Sequence, residues 1–207
     1  MIRAIAWHCP DHYGVSAPME ESFARPTPPA SADELLSIIG RPVKYFSRMT
    51  PETKACLCAA SLALRSRKTS LHAPEEIGIV SAGHDGCVQA DRDYFRDYVA
   101  SGRSMGRGNL FIYTLPTSTL GEVAIALSLT GPSMFLHSDQ APVASLHRQA
   151  EQLVSDGEAS TMLALWSDHQ ASVCLLVTGD VEQPSLSVAE ASPRQWADLL
   201  REKVADR

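Results

Sequence analysis

An α/β sandwich, with a mostly parallel sheet and one antiparallel edge strand, is the fold class that the sequence predicts. Three observations predict it. Short apolar runs alternate with stretches of helical spacing; the runs lack polar alternation, as in strands buried on both faces; and two strand-like runs, 161–166 and 172–178, close the series a few residues apart. A length of 207 residues suits one domain with its own core.

Residues 2–7 alternate loosely and read as a first strand, whereas 10–30 is rich in Pro, Ser and Glu and reads as a loop. Ser31 is placed to cap a short helix that runs to Ile39 and stops before Gly40. Thr50, Pro51 and Glu52 supply a cap, a first-turn proline and an acid to a helix whose Ala55, Cys58, Ala59 and Leu62 recur on one face. Ile77 to Val80 is a buried strand candidate. His84-Asp85-Gly86 then makes a turn, with Asp85 as a cap, and a helix over 88–99 carries Phe95, Tyr98 and Val99 on one side. The segment 101–109, with three glycines and two arginines, reads as a mobile surface connector.

Thr119 and Glu122 are spaced as a capping box, followed by an apolar face of Leu120, Val123, Ala124 and Leu127 that Gly131-Pro132 brings to an end. Met134, Phe135 and Leu136 form a compact strand candidate. Asp139 is placed to cap the next helix, with Val143, Leu146, Ala150, Leu153 and Val154 toward the core and Gly157 at its close. The two final runs, joined through Asp168-His169-Gln170, read as an antiparallel pair. A last amphipathic helix, 192–204, turns Trp196, Leu199 and Leu200 to one side.

Composition narrows the function classes. A net charge of −6, with no dense Lys/Arg cluster, argues against nucleic acid. No apolar run approaches the roughly 20 residues of a membrane span, and the opening residues lack the core of a secretory signal, so the expected location is cytoplasmic. Cys9, Cys56, Cys58, Cys87 and Cys174 are odd in number and show no C-x-x-C pair, which suits reduced, buried thiols better than disulfides or a metal site. No cofactor or metal is implied. Trp7, Trp166 and Trp196 read as core or interface aromatics.

The stretch from Thr114 to Ser133, TLPTSTLGEVAIALSLTGPS, resembles β-ketoacyl-ACP synthases, where a proline, a helix with Gly-x-x-Ala-Ile and a Gly-Pro-Ser turn precede the strand that delivers a nucleophilic cysteine. Arg48-Met49 before an alanine-rich helix, Ile77-Gly78-Ile79-Val80 and the closing hairpin match in order, so the likeness runs from Ile2 to Gly179. It implies the N-terminal half of a thiolase-like fold, similar to short standalone ketosynthase-like proteins. That half carries a five-stranded mixed sheet with helices on both faces, giving a domain over 1–180 and a helical tail over 181–207. In complete synthases two such halves fuse into a five-layered body, and the second half holds the histidines that handle the malonyl unit. Nothing after Gly179 resembles them.

Family chemistry needs a thiolate at a helix N-terminus, where the helix dipole and free N–H groups lower the cysteine pKa and hold an oxyanion. Counting from Gly131-Pro132-Ser133, that position falls on Gln140, whose amide cannot be acylated in the same way. The resemblance therefore implies a catalytically inactive, chain-length-factor-like subunit in fatty-acid, polyketide or aryl-polyene-type pigment assembly. Its partner is a second copy or a full-length ketosynthase, with an acyl carrier protein as an indirect partner, and Met134, Phe135 and Leu136 lie in the strand that pairs across the dimer axis. A single half is also expected to leave uncovered the face that its twin would bury. The alternative is a small acyl-thioester hydrolase or acyltransferase using His137, Ser138 and Asp139. Neighbours in sequence seldom form a triad, however, and no G-x-S-x-G elbow is present. Ser145 and His147, two apart on a helix, diverge.

Overall fold

A computed structural model describes residues 2–17, 22–25, 32–66, 76–83, 87–137, 142–168, 170–179 and 192–205. The strands are β1 (Ile2–His8), β2 (Tyr13–Ser16), β3 (Phe23–Arg25), β4 (Ile77–Gly83), β5 (Ser133–His137), β6 (Thr161–Ser167) and β7 (Ser172–Thr178), in one sheet of order β3-β2-β1-β7-β6-β4-β5. The helices are α1 (Ala32–Ile39), α2 (Pro51–Arg65), α3 (Val88–Ala100), α4 (Gly108–Phe111), α5 (Thr117–Leu127), α6 (Pro142–Ser155) and α7 (Pro193–Ala205).

The α/β class holds, with two corrections. Among the described residues the sheet has seven strands rather than five, and it is not mostly parallel: β4 runs parallel to β5 and β6, while the other four pairings are antiparallel. β7 is not an edge strand either, because β1 adds to its far side and carries β2 and β3 beyond. Those two strands come from the stretch expected to be a loop. They are only four and three residues long, too short for alternation to show. Gly14 lets them close up: a Cβ there would run into the Phe23 carbonyl oxygen and the Trp7 ring.

Helices cover both faces. On one side α1, α2 and α5 pack over Ala4, Ala6, Leu163, Leu165, Cys174 and Leu176. On the other, α6 and α7 pack over Ile5, Trp7, Val80, Trp166, Val173 and Leu175. α2 is buried on nearly every side, and the Thr50 hydroxyl caps it as expected, accepting from the Thr53 N–H at 3.1 Å. Gly40, at φ 76°, ends α1 by donating to the Leu36 carbonyl at 2.8 Å. α6 buries Val143, Leu146 and Ala150, packs Leu153 and Val154 beside them, and is followed by Gly157 at φ 77°.

Several local expectations fail for identifiable reasons. The Thr119/Glu122 capping box does not form. α5 starts earlier, after Pro116, with Ser118 donating to the Leu115 carbonyl, and Thr119 sits inside the helix with its hydroxyl 3.0 Å from that of Thr53. α5 also stops before Gly131-Pro132, because Ser128 takes the left-handed conformation (φ 59°) and Leu129 N–H returns to the Ala124 carbonyl. α3 forms as expected, and none of its residues is buried. On α7, Trp196, Ala197 and Leu200 are buried but Leu199 points outward. The expected caps Ser31, Asp85 and Asp139 lie outside the described residues.

All three tryptophans are buried, as are Cys9, Cys56, Cys58 and Cys174; Cys87 is only half-buried. Burial pushes the thiols of Cys9, Cys56 and Cys58 up to about 12, which makes them poor nucleophiles. The end of the chain is tied to its beginning. Arg194 donates to both carboxylate oxygens of Asp11 at 2.7 and 2.8 Å and to Asp198 at 3.1 Å, and the fully buried His12 lies between those two acids.

Gly131-Pro132 is a docking point rather than a helix stop. Gly131 N–H donates to the Ile77 carbonyl at 3.1 Å, the Pro132 carbonyl accepts from Ile79 at 2.8 Å, and a Cβ on Gly131 would lie 2.7 Å from Gly78 N. Backbone cannot yield as a flexible side chain does. Gly131→Ala is therefore predicted to cost about 1–3 kcal/mol, read as a lower urea midpoint; an unchanged midpoint would contradict the close approach.

Acid weakens the fold through His8. Burial first, and His12 second, lower its pKa from 6.5 to about 4, and its Nε2 has no hydrogen-bond partner. The unfolded chain takes up this proton first, so stability is complete above pH 6.5 and declines as pH falls toward 4, by up to about 1.4 kcal/mol per unit. His147, also lowered by burial, acts in the same direction; Asp11, held down by Arg194, loses its contribution only below the ordinary value of 3.8. Denaturant midpoints at pH 7 and 4.5 should converge in His8→Phe relative to the parent chain. An undiminished gap would rule out His8 as the source.

Candidate functional site

Among the described residues, eleven large apolar side chains remain exposed, and all but Tyr45 and Leu199 lie between Val88 and Met134. This clustering is the strongest feature of the surface. Scattered exposed apolar residues are ordinary, whereas a contiguous set marks a place where another molecule binds. The set belongs to one excursion of the chain, α3, α4, the turn Ile112–Thr114 and α5, which connects β4 to its parallel neighbour β5.

The excursion is braced from within. Tyr94 stacks with Tyr98 and meets the Phe111 ring edge-on at 5.6 Å, while Arg107 pairs with Asp97 across the turn that Gly102 and Arg103 make with positive φ. That turn, 101–107, is exposed, and the connector expected to reach Asn109 gives way to α4 at Gly108. Cys87 leads into α3 and donates to the Thr114 carbonyl at 2.6 Å. What the excursion does not bury is its outer surface: Phe95 is 63% exposed, Met105 77% and Ile125 77%.

β5 is the last strand of the sheet, with β4 on one side and no described strand on the other. Its register pairs Met134 with Val80 and Leu136 with Ala82, which sets those two side chains on the α6 side of the sheet and Ser133, Phe135 and His137 on the α5 side. Backbone direction follows from the ladder. Ile79, opposite Ser133, donates to Pro132, and in a parallel pair one residue bonds to the two that flank its partner. Pro132, Met134 and Leu136 thus turn their polar backbone groups toward β4, and those of Ser133 and Phe135 point away from it. An edge of this kind is a template for another strand.

The structure therefore places the predicted strand Met134, Phe135 and Leu136 at an edge, half-covered, with Met134 the most exposed of the three. His137 stands exposed at its end, level with Gly83. Ser138, Asp139 and Gln140 lie outside the described residues, so neither the polar trio nor the nucleophile position is assembled here. Ser145 and His147 lie on α6, where His147 Nε2 comes within 3.1 Å of Glu151. Among the described residues no group of three His, Cys, Asp or Glu side chains is placed to hold a metal ion. No single described helix is long and apolar enough to cross a membrane.

One expectation about surfaces is corrected. The face of the half-fold toward α6 and α7 is not an open apolar area: Trp196, Ala197 and Leu200 of α7 close over it, and among the described residues its large exposed apolar side chains are Leu199 and, at the β5 edge, Met134. The apolar surface left open lies on α3 to β5. The sequence places Phe95, Tyr98 and Val99 on one side of α3, and spacing alone does not separate a face that packs within the chain from one that stays at the surface.

A second feature is electrostatic. In a chain of net charge −6, residues 41–54 carry Arg41, Lys44, Arg48 and Lys54 against the single acid Glu52. Lys44 and Arg48 lie over the ring of the exposed Tyr45, at 4.9 and 4.8 Å, and Lys54 lies 5.2 Å from that of Phe46. Arg41 donates to the Ala126 carbonyl, beside a shallow groove lined by Lys44, Met49, Glu122 and Ile125.

No protein-family model and no curated protein sequence matches the chain at significance. Solved structures do match in fold. The ishigamide ketosynthase/chain length factor superposes with a TM-score of 0.61 at 15% identity, over 86% of this chain and 62% of that one. A ketosynthase in complex with its chain length factor from Xenorhabdus doucetiae gives 0.56 at 12% identity, over 98% of this chain and 92% of the matched one. A type II PKS acyl-carrier protein in complex with its ketosynthase gives 0.57 at 12% identity, over 84% and 61%. The chain thus has the thiolase-like ketosynthase fold, spans under two thirds of the first and third of these chains, and spans nearly all of the second.

The assignment of backbone directions in β5 is open to test by proline. Phe135→Pro removes an N–H that β4 does not use and is predicted to leave the urea midpoint near that of the parent chain. Met134→Pro removes a ladder bond and should cost about 1–3 kcal/mol. Equal losses would contradict the register.

Proposed function

We propose that this chain is a ketosynthase-like accessory subunit, similar in role to a chain length factor, that pairs with a complete ketosynthase in fatty-acid, polyketide or aryl-polyene-type pigment assembly. The observation that carries the reading is the bare edge of β5, together with the apolar side chains that the crossover leading into it, α3 to α5, leaves exposed among the described residues. A strand edge and an apolar flank together offer a partner both backbone hydrogen bonds and area to bury.

Three further points support it. The matched chain in the Xenorhabdus doucetiae complex of a ketosynthase with its chain length factor is spanned to 92% by this half-fold, so a chain of this extent occurs in such an assembly. Gln140 at the family's nucleophile position leaves this chain without the acyl-accepting thiolate, and the burial-raised thiols of Cys9, Cys56 and Cys58 do not replace it. The cations Arg41, Lys44, Arg48 and Lys54 give an acidic acyl carrier protein a surface of opposite charge.

Co-expression with each complete ketosynthase of the producing organism tests the reading. The expected product is a stoichiometric complex that survives size-exclusion chromatography and is lost in Phe135→Pro, while the chain alone turns over no acyl thioester. A chain that stays separate from every ketosynthase, or hydrolyses acyl thioesters alone with loss in His137→Ala, would overturn it.

A further inference from the structure

A charged pin ties α7 to the start of the sheet. Arg194, in the first turn of α7, donates to both carboxylate oxygens of Asp11, in the turn between β1 and β2, at 2.7 and 2.8 Å. Beside that pair lies His12, fully buried, with Nδ1 3.0 Å from Asp11 and Nε2 3.5 Å from Asp198 on α7. His12 Nε2 and Asp198 Oδ1 face each other away from solvent, and neither is hydrogen-bonded among the described residues.

A neutral imidazole carries one N–H and one lone pair, so it donates to one of the two acids and turns a lone pair on the other. Both contacts are attractive only when each ring nitrogen holds a proton. Burial sharpens the difference, because no water supplies the missing donor.

Histidine side chains ordinarily change charge between about pH 5 and 8, and several groups around His12 hold theirs across that range. From β1, His8 is lowered to about 4, by burial and then by His12, and burial pushes the Cys9 thiol up to about 12. Arg194 holds Asp11 well below the usual carboxylate range and is itself raised by it. The other groups nearby are Tyr13, stacked on His8; Asp168 of the β6–β7 turn, which bears on Cys9; Arg201, 3.9 Å from Asp198 Oδ1; and Arg25 of β3, over the Phe23 ring.

α7 lies over β2, β3 and β7, whereas α6 covers β4, β6 and β7, and α2 covers the opposite face. The sheet therefore keeps two covers if α7 leaves. What α7 contributes is Trp196, Ala197 and Leu200, in the cluster that also holds Trp7.

We propose that α7 is a proton-operated strap: a His12 ring protonated on both nitrogens pins it through Asp11 and Asp198, and loss of one proton lets α7 lift from a folded sheet, uncovering the apolar face around Trp7. The strap is tightest on the acid side of the histidine titration and loosens as pH rises. This is the opposite sense to the acid weakening of the whole fold through His8. The device belongs to this chain alone and needs no ketosynthase partner.

Amide exchange on the isolated chain tests it, with each rate corrected for the intrinsic exchange of an open peptide at that pH. The protection of Ala197 and Leu200 in α7, taken relative to Leu163 in β6, should fall about tenfold between about pH 6 and about pH 9, as expected for loss of one hydrogen bond to a charged group. Asp198→Asn, whose amide can donate to an unprotonated Nε2, should remove that fall with α7 closed at both values, and Arg194→Ala should leave α7 open at both. Ala197 and Leu200 as protected as Leu163 throughout would show that α7 never lifts by itself. A relative protection that does not fall with pH, or an Asp198→Asn chain that keeps the parent's fall, would remove His12 as the pin. Each of these three results overturns the inference.

Discussion

The parallel pairing of β4 with β5 is the constraint from which the rest of the structure follows. Parallel neighbours cannot be joined by a tight turn, so the chain must leave the sheet after Gly83 and return at Ser133. The crossover that does this carries α3, α4 and α5, and with them almost all the exposed apolar surface. Its return is guided by backbone alone. Gly131 and Pro132 lock onto Ile77 and Ile79, and glycine at 78 and 131 allows the two segments to touch. Once β5 is seated there it is the last described strand, and about half of its backbone polar groups face away from β4.

Proteins normally blunt such an edge with charge, proline or a covering element. β5 carries no Lys, Asp or Glu, and its proline precedes the strand. The opposite edge is treated differently: β3 is three residues long, ends in Arg25 and lies under α7. The two ends of one sheet therefore differ in kind, one closed by the Arg194, Asp11, His12 and Asp198 ring and its helix, the other without a described strand beside it. Among the described residues the α6/α7 face is covered by the last described helix, and the exposed apolar side chains gather on the crossover that leads into β5.

Much of this was readable from residues, and the failures have physical causes. The Thr50 cap, the glycine after α1, the buried faces of α5 and α6 and the β6–β7 hairpin are set by local chemistry, so local rules found them. β2 and β3 were not readable because their strand character comes from pairing with β1, a tertiary effect, on residues whose composition suggests a loop. The register of the sheet was equally hidden, since β1 and β7 meet across most of the chain. For the site, the edge strand at Met134 to Leu136 was legible through its resemblance to a known motif. The exposed face of α3 was not: Val88, Phe95 and Val99 have the spacing of a core face, and only the absence of a cover shows that they are surface.

Amide hydrogen exchange at two adjacent residues of β5 tests the central claim most directly. In the isolated chain Met134 N–H, bonded to β4, should exchange slowly and Phe135 N–H, turned to the open side, should exchange quickly; adding the complete ketosynthase should slow Phe135 by orders of magnitude and leave Met134 as it was. A Phe135 amide whose exchange is unchanged by a bound ketosynthase would contradict the account.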